Sequence, residues 1–372
     1  MSLWKKSGVS VLAAVMLTAC ATSSPKADNS ENVAVSKPDW TIVIHGGAGV
    51  ITPENMTPES EAAYRAALQN ALNTGTSLLK GDAEALSVVE AVIHLLEDDP
   101  LFNAGKGAVL TEDGTFSLDS SIMDGKTLNA GAVAGLSNVR HPISAALKVM
   151  TVSPHVLLAG DGADTFAKEQ GLEIVDPSYF FTERRWGSLI KALERRGQKP
   201  PARPESYPKP MTYNQSPDAP DKLSDLMFPD DHKYGTVGVV VMDTKGNYAA
   251  GTSTGGTTAK RWGRVGDSPI IGAGTYAKNN VCGVSATGTG EYFIRLSVAY
   301  AICARIELTG ETAQQAADYV IHTSLTGLQG DGGVIFLGDD GRPGWSFNTK
   351  GMYRASAYAG GKEKIGIYGP EE

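Results

Sequence analysis

Apolar and polar positions alternate along the chain in ways that separate strands from helices. The uncharged run 237–242 predicts a strand buried on both faces, and residues 41–49 predict a strand that ends in a glycine turn. Residues 128–136 and the pieces that flank the turn at 112–115 are also strand-like. Apolar positions with a 3.6-residue period predict helices over Pro58–Lys80, Ala83–Glu97, Pro142–Met150, Asp161–Gln170, Phe180–Arg196, 290–308 and 311–325.

Turn and breaker residues complete this pattern. Gly81 is placed to end the first helix and Asp82 to cap the second. Two hairpins are predicted, at 236–253 and 334–347. Eight of the 19 prolines lie between residues 200 and 229, so no regular element fits there. Strands in hairpins and helices in blocks together predict a layered α/β fold, with helices covering sheets that pair largely antiparallel.

Composition and charge narrow the range of partners. With 372 residues, 41% of them hydrophobic, the chain can bury one large core or two smaller ones. The 43 glycines suit tight turns and close approach of backbone segments. Because the formal net charge is −8, nucleic acid and anionic membrane surfaces are poor partners for the body of the protein.

The first residues have the pattern of a targeting segment. Lys5 and Lys6 precede an apolar stretch at 9–17 that is too short to span a bilayer. The sequence Leu-Thr-Ala-Cys ending at Cys20 resembles a bacterial lipobox, which predicts removal of residues 1–19 and a lipid on Cys20. Residues 20–38 then form a polar tether to a single domain at 39–372. We therefore expect the protein in the cell envelope, either as a lipoprotein or, after ordinary secretion, as a periplasmic or secreted protein.

Several familiar chemistries find little support in the sequence. The six histidines form no HExxH motif or cluster, which disfavours a catalytic zinc site. The glycine-rich stretches HGGAG and TGTGE match neither a P-loop nor a GxGxxG fingerprint. Ser253 lies in a G-x-S-x-G sequence, but no amphipathic helix follows it and only His322 lies downstream as a base. Cys282 and Cys303 lack a CxxC pattern, and their spacing does not decide whether they pair.

Thr236 offers a different chemistry, because it stands between a proline-rich segment and a core strand. A threonine hydroxyl is a poor nucleophile without a base beside it. The α-amine of the same residue, with an ordinary pKa of about 7.7–8.0, is an economical base. That amine becomes available only if the chain is cut between Gly235 and Thr236. Glycine before the threonine leaves room for an attacking hydroxyl, and the flexible segment would let the new chain end move away.

Seven stretches, one of which contains Thr236, follow one another in a fixed order. They are HGGAG (45–49), PLFNAGKGAVLTEDG (100–114), MDGKTLNAGAVAGL (123–136), GTVGVVV (235–241), GTSTGGTTAKRWGRVGDSPIIGAG (251–274), SATGTGEYFIR (285–295) and FNTKGMYRA (347–355). Together they resemble the isoaspartyl peptidase / plant-type L-asparaginase family, from about Trp40 to about Gly361. The resemblance implies a four-layer αββα sandwich of the N-terminal nucleophile hydrolase type.

The resemblance also implies roles for individual residues. The precursor would cut itself between Gly235 and Thr236, giving an α chain that ends at residue 235 and a β chain, 236–372. Thr236 would act as nucleophile and, through its freed amine, as base. The remaining matched positions are Thr254, which hydrogen-bonds the nucleophile; Thr287 and Gly288, the oxyanion hole; Arg264 and Asp267, the substrate anchors; Asn103, which positions the surroundings of the nucleophile; and Gly47, near the cut.

The implied reaction is amide hydrolysis through an acyl-enzyme on Thr236, with release of aspartate from isoaspartyl dipeptides or L-asparagine. It needs no cofactor. Arginine and aspartate suit the carboxylate and ammonium of such substrates, although Arg264 and Asp267 could instead form a mutual surface salt bridge. Relatives assemble as a dimer of αβ units. A structural sodium ion is implied in the loop that contains Leu96, Glu97, Asp99, Phe102, Ala104 and Lys106.

Three alternatives remain at this point. Related enzymes that cut glycosylated asparagine share the same catalytic set, so a glycosylasparaginase-like amidase is one. A serine hydrolase built on Ser253 is a second. The third is a lipoprotein that binds amino acids through Arg264 and Asp267 without cleaving anything.

Overall fold

The uncharged run after Thr236 forms the centre of a large sheet. In the computed structural model, which describes residues 37–208 and 235–369, all six residues of this strand are buried. The sheet has the spatial order β12-β11-β1-β5-β6-β2-β3-β4, and only the β3–β4 pair is parallel. Its strands are Thr41–Gly49 (β1), Leu118–Asp124 (β2), Ala130–Leu136 (β3), Leu157–Ala159 (β4), Val237–Met242 (β5), Tyr248–Thr254 (β6), Gly351–Tyr358 (β11) and Lys364–Gly366 (β12).

A second, antiparallel sheet stacks on the first. Its four strands have the order β10-β9-β8-β7 and comprise Thr275–Lys278 (β7), Cys282–Gly288 (β8), Gly332–Leu337 (β9) and Pro343–Phe347 (β10). A buried apolar cluster that includes Val43, Val240 and Ile335 fills the space between the two sheets. The chain therefore places β8 of the small sheet against the central strands of the large one.

Helices cover the outer face of each sheet. Those on the large sheet are Pro58–Lys80 (α1), Ala85–Asp98 (α2), Pro142–Val152 (α3), Gly160–Glu169 (α4) and Glu183–Arg195 (α5). Those on the small sheet are Gly290–Leu296 (α6), Val298–Thr309 (α7) and Ala313–Asp318 (α8), which continues as a π-helix, Tyr319–Leu325. Two short 3₁₀ helices span Pro53–Asn55 and Pro177–Phe180. The resulting order helix, sheet, sheet, helix confirms the predicted αββα sandwich.

Some local predictions were wrong. Asp82 does not cap α2; it adopts a left-handed φ of 62°, and the N-cap is Glu84. The predicted helix at 290–308 is two helices, because Ser297 takes a left-handed φ of 48° between them. Of the two pieces beside the turn at 112–115, the one that follows it forms β2, as predicted, whereas the one that precedes it contributes only an isolated bridge, Thr111–Lys260.

The predicted division of the chain into a leader, a tether and one domain falls partly outside the described residues. From Lys37 onward the chain forms one compact unit. The lipobox, most of the tether and residues 209–234 of the proline-rich segment lie outside the described residues. No helix within the described ranges is both long and apolar enough to cross a membrane. Cys282 of β8 and Cys303 of α7 form a disulfide, which links the small sheet to its helical layer.

Gly131 tests how tightly α3 packs on the large sheet. A Cβ there would overlap the Ala146 carbonyl oxygen and lie 2.5 Å from the Met150 nitrogen, and neither backbone atom can move aside cheaply. We expect Gly131→Ala to lower the free energy of unfolding by about 1–3 kcal/mol, measured by denaturant titration. Gly162→Ala is the control, because nothing lies within 4 Å of its Cβ position in α4. Equal effects of the two substitutions would contradict this packing.

Candidate active site

Thr236 lies at the entrance of β5, where the strand pairing sets its neighbour. Val237 pairs with Ser253, and Gly238 pairs with Thr252, so Thr236 comes opposite Thr254. Their Oγ1 atoms are 2.9 Å apart. The Thr254 hydroxyl also accepts a hydrogen bond from the Gly256 N–H at 2.9 Å, which fixes its orientation. The structure thus brings together two of the residues that the sequence predicted.

Asn103 holds the peptide bond before Thr236. Its N–H donates to the Gly235 carbonyl at 2.9 Å, and its side chain donates to the Gly256 carbonyl and accepts from the Val109 N–H, both at 2.8 Å. A Cβ at position 235 would lie 2.8 Å from that of Asn103, so only glycine fits. The carbonyl carbon of Gly235 is therefore held beside the Thr236 hydroxyl, with its oxygen facing a donor.

A glycine bulge in β1 lies next to this peptide. Pairing of β1 with β5 ends at His45 and Gly238, and the register of β1 against β11 shifts between His45 and Ala48. Gly47 in the bulge has a φ of 106°, which side chains rarely adopt. A Cβ on Gly46 would overlap the Phe102 ring. The HGGAG sequence thus ends the pairing of β1 with β5 and contains the glycines that this bulge requires.

Thr287 and Gly288 end β8 of the opposite sheet. The Thr287 Oγ1 is buried and has no hydrogen-bond partner among the described residues. A Cβ on Gly288 would lie 2.5 Å from the Asp331 carbonyl oxygen, so no side chain fits there. An unpartnered buried hydroxyl is costly unless a ligand satisfies it. The Thr287 hydroxyl therefore has a hydrogen available for a bound ligand.

Arg264 and Asp267 meet over Gly290 but do not form the mutual salt bridge considered above. Arg264 instead donates to both carboxylate oxygens of Glu291, at 2.9 and 3.0 Å. The Cβ position of Gly290 lies 2.9 Å from the Arg264 Nη2 and 2.9 Å from the Asp267 Oδ1. The two side chains consequently present a cation and a carboxyl group to the same small space.

Asp267 is poised to receive a cation. Its Oδ2 is buried without a partner in the described part of the chain. Burial raises its pKa to about 7, although nearby backbone hydrogen bonding and Arg264 lower it in part. An ammonium ion strongly stabilises the ionised form of a buried carboxyl group that has no partner, because the ion compensates the buried negative charge.

Ser253 points away from this space. It faces the helical layer, because side chains alternate along β6, and its hydroxyl donates to the Glu97 carboxylate at 2.6 Å. Glu97 also accepts from the Ile143 N–H at 3.1 Å, and its other oxygen lies 3.2 Å from His141. His322 is half exposed on the π-helix beside Asp318. Ser253 and His322 therefore do not form the predicted alternative, a serine site.

The loop after α2 folds its carbonyl groups inward. The Glu97 carbonyl accepts from the Lys106 N–H at 2.7 Å. A Cβ on Gly107 would lie 2.6 Å from the Pro100 oxygen and 2.8 Å from the Phe102 oxygen. No group of three His, Cys, Asp or Glu side chains that could hold a metal occurs in the described ranges. Arg184 of α5 donates to the Pro100 and Leu101 carbonyls at 2.8 and 2.9 Å, so this helix holds the loop in place.

The αββα layers, with a threonine at the entrance of a central strand, define the class of N-terminal nucleophile hydrolases. The chain belongs to the asparaginase family: the sequence pattern described as Asparaginase matches residues 38–367. It is therefore a hydrolase-family protein, as the sequence predicted.

Individual relatives agree with this membership. The chain is 46% identical over 327 residues to the isoaspartyl peptidase of Salmonella typhimurium, a match that covers 88% of this chain and 98% of that protein. It is 44% identical to the isoaspartyl peptidase of Escherichia coli, over 88% of this chain and 95% of that protein. The plant-type L-asparaginase of Pyrococcus furiosus is 42% identical, with 87% and 97% covered.

Residue-by-residue reading of the sequence missed two features. It did not find Glu291 as the partner of Arg264, although Glu291 closes the TGTGE motif. It also missed the Glu97–Ser253 contact, because the partners lie 156 positions apart in sequence. The one sequence signal for the Glu97–Ser253 contact is that a buried acid on a predicted helix needs a polar partner, which a serine on a predicted strand can supply.

Replacing Ser253 and Thr254 one at a time distinguishes their roles. We expect Ser253→Ala to leave hydrolysis in place but to lower the free energy of unfolding by about 1–3 kcal/mol, because buried Glu97 loses a donor. Thr254→Ala should slow hydrolysis instead. Amide-substrate assays and denaturant titration measure the two effects. Loss of hydrolysis in Ser253→Ala with unchanged stability would restore the serine hypothesis.

Proposed function

We propose that this chain is an autoprocessed amidohydrolase that releases aspartate from isoaspartyl dipeptides and from L-asparagine. One observation carries the proposal: the Thr236 hydroxyl is hydrogen-bonded to Thr254 while the preceding carbonyl is held by the Asn103 N–H. The names of the relatives given above, isoaspartyl peptidase and plant-type L-asparaginase, support the substrate class.

The first step is cleavage of the chain itself. The Thr236 Oγ attacks the Gly235 carbonyl carbon, and the oxygen that becomes negative is stabilised by the Asn103 N–H. The C–N bond breaks as the Thr236 nitrogen takes up the hydroxyl proton, which leaves an ester. The Thr236 α-amine is free from this point. Water then hydrolyses the ester, so residue 235 gains a carboxylate and the Thr236 Oγ becomes a hydroxyl again.

The same hydroxyl then acts on substrate. The α-amine takes the Oγ proton as Oγ attacks the β-carbonyl of the aspartyl group, and it returns the proton to the leaving amine. Thr287 and the Gly288 N–H are placed to stabilise the developing oxyanion. Water attacks the resulting ester and aspartate leaves. Every proton transfer uses the chain's own groups or water.

Arg264 and Asp267 select substrates with both a free carboxylate and a free ammonium group. Glu291 holds the guanidinium from one side, so its remaining donors can grip a carboxylate. The unpartnered Oδ2 of Asp267 receives the ammonium. Because both anchors converge near Gly290, a substrate whose α-amine or α-carboxylate is blocked should bind poorly.

The proposal also covers a structural sodium ion, the cellular location of the protein and its quaternary structure. The carbonyl groups of the 96–106 loop would hold a structural sodium ion, which keeps Asn103 in place and takes no part in the chemistry. We propose an envelope protein lipidated on Cys20, and the Cys282–Cys303 disulfide supports an oxidising compartment. Assembly as a dimer of αβ units rests on the family resemblance.

Turnover of isoaspartyl dipeptides tests this function. We expect wild-type protein to release aspartate from an isoaspartyl dipeptide and from L-asparagine, and Thr236→Ala to lose at least 10³-fold in kcat/KM, since no other residue replaces the nucleophile. Chromatographic detection of free aspartate is the measurement, with Ser253→Ala as the active control. Tight binding of aspartate without any turnover would instead identify the amino-acid-binding protein. Turnover of glycosylated asparagine alone would identify the glycosylasparaginase-like alternative.

The raised pKa of Asp267 gives this reaction a pH signature. Below about pH 7 the free protein holds Asp267 protonated, so kcat/KM should rise with pH through that region, and Asp267→Asn should remove this step. Bound ammonium keeps Asp267 ionised, so kcat should report the Thr236 amine and not Asp267. A kcat/KM profile that is identical in Asp267→Asn and in wild type would contradict this assignment.

The same pKa affects stability. The pKa of Asp267 in the folded protein lies above its value in the unfolded chain, so the free energy of unfolding of the ligand-free protein falls as pH rises from about 4 to about 7.

A further inference from the structure

Two rows of polar side chains cross the space between the sheets. The upper row contains Thr236, Thr254 and Thr287, which the proposed reaction uses. Residues two positions away along a strand face the same side. Thr252 on β6 and Ser285 on β8 therefore belong to a lower row, one step further from the strand ends. We call this lower row the hydroxyl tier; its members are His45, Ser121, Thr252, Thr275 and Ser285.

The hydroxyl tier is a continuous hydrogen-bonded chain. His45 Nε2 lies 3.0 Å from Ser285 Oγ, which lies 2.7 Å from Thr252 Oγ1. Thr252 Oγ1 is 2.6 Å from Thr275 Oγ1, which is 2.8 Å from Ser121 Oγ. Ser121 donates to the Ser268 carbonyl at 2.6 Å. The chain thus links strands of both sheets and ends beside Asp267.

Counting hydrogens favours one direction for this chain. Thr252 Oγ1 also lies 3.1 Å from the Gly274 carbonyl, so six contacts share four hydroxyl hydrogens. The Ser268 carbonyl can only accept, so Ser121 donates to it and Thr275 donates to Ser121. Thr252 donates to Thr275 or to the Gly274 carbonyl, and in either case Ser285 donates to Thr252. This arrangement fills the most contacts, and in it His45 Nε2 donates to Ser285.

The surroundings of His45 agree with that state. Its ring is completely buried, which lowers its pKa to about 3, and the backbone of Thr236 beside the ring offsets this only in part. Its Nδ1 is buried without a hydrogen-bond partner among the described residues, so a proton on Nδ1 would be a buried donor without an acceptor. A Cβ on Gly238 would overlap both Ser285 Oγ and His45 Nε2. The second glycine of the GTVG sequence is therefore required for this contact.

We propose that the hydroxyl tier positions the nucleophile and the oxyanion hole relative to each other, with His45 as the donor that sets its direction. The nucleophile Thr236 belongs to the large sheet and Thr287 to the small sheet, so their separation depends on how the sheets are joined. The contacts of Ser285 with His45 and Thr252 join the two sheets one step below the upper row. These are positioning residues, since none touches the substrate, and their role rests on the proposed function.

Isosteric substitution at Thr252 tests the tier. We expect Thr252→Val to lower kcat at least tenfold while KM stays within threefold, because Arg264 and Asp267 remain in place. Thr252→Ser should stay within threefold of wild type in both constants. Ser120→Ala is the matched control: it removes a buried hydroxyl that donates to the Thr252 carbonyl from the helix-facing side of β2. Unchanged kcat in Thr252→Val, or a loss of kcat in Thr252→Ser or Ser120→Ala as large as the loss in Thr252→Val, would overturn the proposal.

The tautomer of His45 provides a test that is independent of activity. Nitrogen NMR of histidine-labelled protein should show one of the six side chains as neutral with the proton on Nε2, down to pH 5. The signal is assigned by its loss in His45→Gln. A proton on Nδ1, or a charged ring at pH 5, would refute the inferred direction even if the enzyme is active. If wild-type protein lacks hydrolase activity but shows the expected tautomer, the proposed function fails and the hydrogen-bonded tier stands.

Discussion

The pairing of β5 with β6 is the constraint on which the site depends. Its register sets Thr236 against Thr254, and a slip of β5 by one residue would turn the Thr236 side chain towards the helices and away from Thr254. β5 is fully buried in the middle of an eight-stranded sheet, so that register is strongly specified. The chemistry is therefore attached to the most rigid part of the fold, while the anchors Arg264 and Asp267 lie on a loop.

Glycine at four positions makes the approach of the two sheets and the loops possible. Gly235 admits Asn103 against the peptide before Thr236, and Gly238 admits the His45–Ser285 contact. Gly288 and Gly290 keep side chains out of the space that Thr287 and Asp267 face. The high glycine content of the chain thus has a specific use: it lets polar atoms from distant strands meet without an intervening Cβ.

Local pattern predicted much of this architecture. Helix α1 begins and ends where the sequence placed it, and both hairpins formed as predicted, because apolar period and turn residues act over a few positions. The layered fold and Thr236 as candidate nucleophile also followed from the residues. The family resemblance implied that Asn103 and Thr254 lie around the Gly235–Thr236 peptide, and the hydrogen bonds of these two residues agree with that expectation.

Contacts between residues far apart in sequence could not be predicted in the same way. Glu291 lies 27 positions from Arg264, Ser285 lies 240 from His45, and their contacts depend on how two sheets stack. Nothing in local composition distinguishes Glu291 from any other surface acid. Nor does the motif G-T-S-T-G show that Ser253 faces Glu97 while its neighbours face the active site; only the alternation along a strand of known orientation decides it.

Intact-mass analysis of purified protein, beside Thr236→Ala, tests the central claim most directly. The account predicts two polypeptides from the wild-type chain, one of which begins at Thr236 and ends at Glu372, and a single uncut polypeptide from the variant. A wild-type chain that remains whole after prolonged incubation would contradict it, because the α-amine that serves as base would never form.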